Sequence, residues 1–169
     1  FKHQIGTCVT EDQLIFEEKT EAFTVGIGLT SDEKYFIITS SDHNTSEQYY
    51  FSVDEQNPNP KLIKKRKKGI LYSINSWNGF FYNHTNENAE DFKIDKCKDL
   101  LNQKWETYIP AKDEILIGGL TFLNDWILRG ETSNALSKIF ARNIESNIEE
   151  EIKFVDEKVI VPSISLIKR

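Results

Sequence analysis

The sequence predicts an all-β protein: a segment of a β-propeller with three complete four-stranded blades between two partial blades. Strand-like runs that open each repeat start at positions 24, 72, 115 and 159, and propeller blades repeat at this spacing of about 40 to 50 residues. Apolar residues alternate or run continuously over short stretches and do not recur at helical spacing. Clusters of turn-forming residues separate these stretches, which indicates many short strands.

The first complete blade shows the pattern most clearly. Residues 24–29 (TVGIGL) alternate around Val25 and Ile27, and their glycines suit a strand that approaches the crowded propeller axis. Residues 34–40 (KYFIITS) form a continuous apolar run, which indicates a second strand buried on both faces. Residues 47–53 return as the third strand. After two prolines, residues 61–67 are the expected solvated fourth strand.

The next two blades repeat this order of four strands. The expected strands cover residues 72–77, 79–85, 91–97 and 105–109 in one blade, and 115–122, 125–131, 137–144 and 151–155 in the other. The second strands follow Asn78-Gly79 and Asn124-Asp125, which are hairpin signals of the kind that need positive φ. Residues 98–104 are expected to form a short helical turn.

A partial blade is expected at each end of the chain. Residues 2–6 and 13–18 resemble the last two strands of an earlier blade, and residues 159–167 resemble the first strand of a later one. The expected blade boundaries are therefore 1–20, 21–68, 69–111, 112–156 and 157–169. A β-sandwich also fits many short strands with frequent turns, although the period favours the propeller.

The composition excludes several classes of protein. The 169 residues are 38% hydrophobic and contain no apolar run near the ~20 residues of a membrane-spanning helix. The net charge of -6 argues against a general nucleic-acid-binding protein, and Cys8 and Cys97 fit no metal or redox motif. We expect no cofactor. Residues 1–4 lack the features of a signal peptide, so we expect a cytoplasmic protein. The absence of methionine suggests that the sequence is a piece of a longer chain.

One tripeptide contains the residue types of a catalytic triad. Ser41-Asp42-His43 follows the second strand, but adjacent residues of an extended chain point to opposite faces. We therefore expect these residues to end a strand. His3 and His84 are expected in polar loops without partners, so the sequence offers no catalytic, cofactor-binding or metal-binding residue.

Charged runs and aromatic residues also have structural interpretations. The basic run 64–68 (KKRKK) could be a nuclear-localisation signal or an anion-binding patch. Lysines on an outer strand also discourage edge-to-edge aggregation, and we favour that interpretation. The acidic stretch 145–151 lacks the oxygen-ligand pattern of a calcium loop and is expected to be a solvated turn. Large rings are expected to fill the space between blades; they are Phe36, Tyr49, Tyr50, Phe51, Trp77, Phe80, Phe81, Trp105 and Trp126.

Several segments resemble the oligopeptidase B (protease II) group of the prolyl oligopeptidase family of serine peptidases. The resemblance depends on the order and spacing of short matches over nearly the whole chain. They are Gly6-Thr7, residues 12–18 (DQLIFEE), Phe23-Thr24-Val25, Thr45-Ser46-Glu47, Trp105-Glu106, Ile109-Pro110 and residues 121–126 (TFLNDW).

The resemblance implies that this chain is the middle of a seven-bladed propeller that caps an α/β-hydrolase domain. It covers about a quarter of such an enzyme. The family's catalytic serine lies in a Gly-x-Ser-x-Gly motif of the hydrolase domain, and this sequence has no such motif. The resemblance therefore implies a non-catalytic part of a cytoplasmic peptidase that cleaves short peptides after basic residues, with the propeller restricting access.

A second hypothesis is a free-standing binding or self-assembly module. The two expected partial blades could pair head to tail between copies of the chain. The expected partners are therefore the hydrolase domain and remaining blades of a parent enzyme, with peptide substrates bound indirectly, or a second copy of this chain. Neither nucleic acid nor membrane is expected as a partner.

Overall fold

The computed structural model describes residues 1–153, in which twelve strands form three four-stranded antiparallel sheets. We call these sheets blades 1 to 3 in chain order. Each sheet is a meander in which every strand pairs with the next strand along the chain. Since blade 2 packs against both other blades, the propeller prediction is confirmed and the two-sheet sandwich is wrong.

Blade 1 consists of β1 Thr24–Leu29, β2 Tyr35–Ser41, β3 Ser46–Ser52 and β4 Lys61–Lys64. Strand β2 is buried on both faces, as expected, since neighbouring isoleucines at its centre are 7% and 3% exposed. Strand β1 is exposed along its whole length. A Cβ atom at either of its glycines would meet no atom within 4 Å, so the expected crowding at these glycines is wrong.

Blade 2 consists of β5 Tyr72–Trp77, β6 Phe80–Thr85, β7 Lys93–Cys97 and β8 Glu106–Ile109. The first hairpin turns at Asn78-Gly79 with φ values of 49° and 75°, as expected. The expected helical turn over 98–104 is also present, because the amide of Gln103 donates to the carbonyl of Asp99 at 3.0 Å.

Blade 3 consists of β9 Leu116–Phe122, β10 Trp126–Ser133, β11 Leu136–Asn143 and β12 Glu149–Ile152. The expectation of positive φ at Asn124-Asp125 is wrong. Positive φ instead occurs in the next hairpin, at 50° for Asn134 and 60° for Ala135. This turn could not be predicted from the sequence, because alanine rarely adopts a positive φ.

The N-terminal residues differ from the expected pair of strands. A single antiparallel bridge joins Lys2 to Gln13 around the 3-10 helix Val9–Glu11, and neither 2–6 nor 13–18 is a strand. Two short strands without a third partner are marginal in water, which explains the irregular structure. The expected strand 159–167 lies outside the described residues. No helix within residues 1–153 has the length and apolar character needed to cross a membrane.

Candidate functional site

The two blade interfaces show how blade faces are covered in this protein. We call the face of a blade toward the following blade its back face and the opposite face its front face. At the first interface, Ile37 and Ile63 of blade 1 form one buried cluster with Tyr72, Ile74 and Phe81 of blade 2. The back face of one blade therefore buries the apolar front face of the next.

Polar side chains at this interface bind the inner edge of β5. The hydroxyl of Ser46 accepts from the amide of Tyr72 at 2.7 Å and donates to its carbonyl at 2.9 Å. The side-chain oxygen of Gln48 accepts from the amide of Ile74 at 2.8 Å. Blade 1 thus supplies the partners that the edge strand lacks.

The hydroxyl of Tyr72, on blade 2, in turn binds backbone groups of blade 1. It accepts from the amide of Gln48 at 2.7 Å and donates to the carbonyl of Lys64 at 2.6 Å. Burial raises the pKa of Tyr72 to about 12, so the hydroxyl keeps its proton. The first interface is therefore fixed by directional hydrogen bonds as well as by apolar packing.

At the second interface, a histidine side chain of blade 2 contacts the backbone of blade 3. The Nε2 atom of His84 on β6 lies 2.7 Å from the carbonyl oxygen of Ile117 on β9, and the amide of Ile117 donates to the carbonyl of Asp91 at 2.9 Å. Phe92 stacks on the imidazole with ring centroids 4.6 Å apart. Burial lowers the pKa of His84, which favours the neutral ring with the Nε2 proton donated to Ile117.

The front face of blade 1 is uncovered along β1. Val25, Ile27 and Leu29 are 49%, 63% and 51% exposed. On the front faces of the next two blades, by contrast, Ile74 is 5% exposed and Ile117 is fully buried. An apolar groove of about 370 Å³ opens beside β1. Three exposed apolar side chains in a row mark an interaction surface, which we call the open front face.

The N-terminal residues cover the other part of this face. The carboxylate of Glu18 accepts from the hydroxyl of Ser40 at 2.6 Å and from the guanidinium of Arg66 at 2.5 Å. The ring of Phe16 packs on Tyr49 with centroids 4.7 Å apart. The hydrogen bond from Ser40, supported by Arg66, lowers the pKa of Glu18 to about 2 although burial opposes the shift. Residues 16–18 are therefore attached while the surface along β1 stays open.

The structure does not bring the triad-like residues together. Asp42 accepts from the amides of Asn44 and Thr45 at 2.9 and 2.7 Å, and His43 is exposed. These hydrogen bonds, with that from Asn44 as the main cause, lower the pKa of Asp42. The arrangement closes the turn between β2 and β3, in agreement with the strand-ending interpretation.

Both other histidines differ from the expectation of isolated loop residues. His3 Nδ1 lies 2.6 Å from a carboxylate oxygen of Asp12. His84 lies in a strand at the blade interface described above. Its alternation with Tyr82 was the available signal, because residues two apart in a strand share one face.

The basic run has mixed roles. Lys64 pairs with Glu87, and Arg66 pairs with both Glu18 and Glu47. Lys65, Lys67 and Lys68 are exposed, as expected. The expectation of a solvated edge is therefore wrong for the two residues that hold other segments in place.

The acidic stretch is more ordered than expected. Residues 149–152 form β12, in which Glu149 pairs with Arg129 and Glu151 pairs with Lys138 at 3.2 Å. Its carboxylates thus bind basic side chains of β10 and β11. Within residues 1–153, no group of three or more acidic, histidine or cysteine residues is placed to hold a metal ion.

The aromatic residues mostly lie between blades, as expected. Tyr35 contacts Phe81 across the first interface and Trp77 stacks on Phe122 across the second, with centroids 5.2 and 5.9 Å apart. Trp126 is 38% exposed, Phe36 and Phe51 line the groove of the open front face, and Tyr49 packs on Phe16 at that face, so the expectation is wrong for these four. Neither cysteine forms a disulfide, and burial raises the pKa of the Cys97 thiol to about 11.

The open front face and the contact between Glu18 and Arg66 beside it were not predicted from the sequence. The alternation of Val25, Ile27 and Leu29 was visible, but an inner strand was expected to be covered. The contact between Glu18 and Arg66 joins residues 48 positions apart and leaves no pattern in the sequence. Such a contact becomes visible only when the N-terminal segment is seen against the folded blade 1.

Residues 1–165 match the family described as the N-terminal β-propeller domain of prolyl oligopeptidase. Protease 2 of Moraxella lacunata is 30% identical over 131 residues, which are 70% of this chain and 19% of that protein. Dipeptidyl aminopeptidase BI of Pseudoxanthomonas mexicana is 24% identical over 81% of this chain and 19% of its own length. The chain therefore spans about a fifth of these relatives.

The fold agrees with solved structures. Oligopeptidase B from Trypanosoma brucei, with covalently bound antipain, superposes with a TM-score of 0.83 at 21% identity and covers 92% of this chain and 23% of its own. Oligopeptidase B from Leishmania major gives 0.82 at 14% identity, with the same shares covered. By its match to the propeller family over nearly its whole length, the chain belongs to the prolyl oligopeptidase family.

Proposed function

We propose that this chain is a non-catalytic propeller part of an oligopeptidase B-like serine peptidase. The open front face carries the proposal, because the front faces of blades 2 and 3 are each buried by a preceding blade. Val25, Ile27 and Leu29 have the exposure and apolar character that such a neighbour would bury. The neighbour would be a further blade of the parent enzyme.

In the parent enzyme, the propeller would act by exclusion. A closed ring of blades over an α/β-hydrolase active site would admit short or unfolded peptides and keep folded proteins out. The acidic side chains that select basic residues would belong largely to the hydrolase domain. The stiffness of the ring would depend on contacts such as those of Tyr72 and His84, which join neighbouring blades.

Inactivity of the isolated chain is the first test. The purified chain should neither hydrolyse a peptide with two basic residues nor be labelled by a serine-reactive probe. Hydrolysis that survives controls for contaminants, together with labelling of the chain, would overturn the proposal.

The exclusion role requires a test in the longer protein. Replacing Ile27 with aspartate there should weaken the blade contact and increase cleavage of long substrates relative to short peptides. An exposed control, Lys65→Asp, should leave that ratio unchanged. An equal effect of both variants, or no effect of Ile27→Asp, would contradict a role for the open front face in access.

A second candidate function is self-assembly through the same surface. Leu116 and Ile152 on the back face of blade 3 are 46% and 38% exposed, so apolar surface is present at both ends of the row of blades. Head-to-tail contact between two copies would cover it. Light scattering should then detect a dimer that Ile27→Asp dissociates, whereas a strictly monomeric chain would exclude this function. We propose a cytoplasmic location in either case, which fractionation of the source cells would test.

A further inference from the structure

Blade 2 carries a groove lined by three lysines, away from the open front face. Lys96 lies on β7, Lys98 follows that strand, and Lys104 precedes β8. Together with Phe80 they line a cavity of about 490 Å³. We call this cavity the lysine groove. Three ammonium groups around one cavity concentrate positive charge on a chain whose net charge is -6.

The three lysines have no acidic partner within ion-pair distance among the described residues. Two carboxylates also line the groove. Asp99 is engaged within its own loop, because it accepts from the amide of Leu101 at 2.8 Å and from the side chain of Asn102. Glu106 is exposed and forms no ion pair with the lysines. The groove therefore retains unpaired positive charge.

Aromatic rings position two of the three lysines. The Nζ atom of Lys96 lies 5.1 Å from the ring centroid of Phe80 and 4.9 Å from that of Tyr108, and Lys98 Nζ lies 5.6 Å from the centroid of Phe80. A cation over a ring face is attracted to it, so these contacts hold the ammonium groups at the groove.

We propose that the lysine groove binds an acidic peptide segment of a partner protein through its carboxylates. The cavity is large enough for several side chains, and it presents three ammonium groups, two of them at the ring of Phe80, so more than one carboxylate of such a segment can find a cationic partner. Nucleic acid is disfavoured because the face of Phe80 is already occupied by lysines and is not free to stack with bases. This proposal does not depend on the parent enzyme or on the open front face.

The test is titration of the full chain with a fluorescently labelled polyglutamate peptide, followed by anisotropy. The double variant K98E/K104E changes only exposed side chains and keeps Lys96 on its rings. The matched control, K65E/K67E, makes the same change of charge at exposed lysines of the basic run. Circular dichroism should show the same fold for all three proteins.

We expect K98E/K104E to weaken binding about tenfold or more and the control to change it less than about threefold. Raising the ionic strength to about 0.5 M should abolish the difference between the proteins. Equal losses in both variants would show nonspecific attraction and overturn the proposal, as would absence of binding by the unmodified chain. Tighter binding of a single-stranded oligonucleotide at the same lysines would also overturn it, in favour of nucleic acid.

Discussion

The hydroxyl of Tyr72 provides the sharpest test of how neighbouring blades are joined. Tyr72→Phe removes one oxygen atom and keeps the ring that packs in the first interface. The amide of Gln48 and the carbonyl of Lys64 then lose partners at 2.7 and 2.6 Å. Because the tyrosine is only 5% exposed, water replaces the lost hydroxyl poorly.

The expected loss of stability follows from these two groups. A buried polar group left without a partner costs about 1–3 kcal/mol. Gln48 is 4% exposed and should bear this cost in full, while the carbonyl of the half-buried Lys64 should recover part of it from water. We therefore expect about 2–4 kcal/mol of destabilisation, or a fall in Tm of roughly 5–15 °C for a chain of this size.

Tyr82→Phe is the matched control. Tyr82 is also buried, at 4% exposed, but its hydroxyl has no hydrogen-bond partner among the described residues. Urea unfolding monitored by tryptophan fluorescence should show a change below about 0.5 kcal/mol for this variant. Equal losses in the two variants, or a loss below about 1 kcal/mol for Tyr72→Phe, would refute the role given to the hydroxyl.

Four further perturbations test other parts of the structure. Gly79→Ala should lower the free energy of unfolding by about 1–2 kcal/mol, because the φ of 75° is left-handed. At Gly26 an added methyl group meets open space, so Gly26→Ala should lower it by less than about 0.5 kcal/mol. Thermal melts of the two variants compare these losses. The pKa of Glu18 is lowered in the folded state from 4.5 to about 2, so its stabilisation is present above pH 4.5 and lost as pH falls toward 2. The stability of Glu18→Gln should therefore depend less on pH across that range than the stability of the unmodified chain. An equal pH dependence of the two proteins would contradict a stabilising role for the contacts of Glu18. His84→Ala should cost about 1–3 kcal/mol in urea, by unpairing a buried carbonyl, and an unchanged midpoint would disprove that contact. Ile27→Asp should not destabilise the isolated chain but should reduce binding of a hydrophobic dye, since 63% of the side chain is already exposed.

The repeat could be predicted from the sequence because it is local. Strands β1 and β5 begin and end where predicted, since polar or glycine-containing turns mark their ends. The other strands differ from the prediction by one to three residues at one or both ends. Turns were less certain: Asn78-Gly79 was identified correctly, while Ala135 gave no indication of its positive φ.

Contacts between blades could not be predicted, because they join residues far apart in the chain. Ser46 and Tyr72 are 26 positions apart, and His84 and Ile117 are 33 apart. Hydroxyl, amide and imidazole groups occur throughout the sequence, so their types alone do not indicate which backbone edge they bind. The three lysines of the lysine groove lie within nine positions of one another, and only Phe80, 16 positions before Lys96, joins them from a more distant part of the chain.

These blade contacts connect the sequence to the proposed role. Blades 2 and 3 each depend on the preceding blade for burial of the front face and for hydrogen-bond partners at the inner strand. A loss of one contact should therefore loosen the arrangement of the blades before it unfolds a whole sheet. This coupling is what a propeller that limits access to an active site would require.

The mass of the native product tests the central proposal most directly. An antibody against this segment should detect, on an immunoblot of the source cells, a protein several times the mass of the 169-residue chain. That result would agree with a propeller part of a larger peptidase. A band at the mass of the 169-residue chain, with none above it, would contradict the proposal and leave the self-assembling module as the function to test.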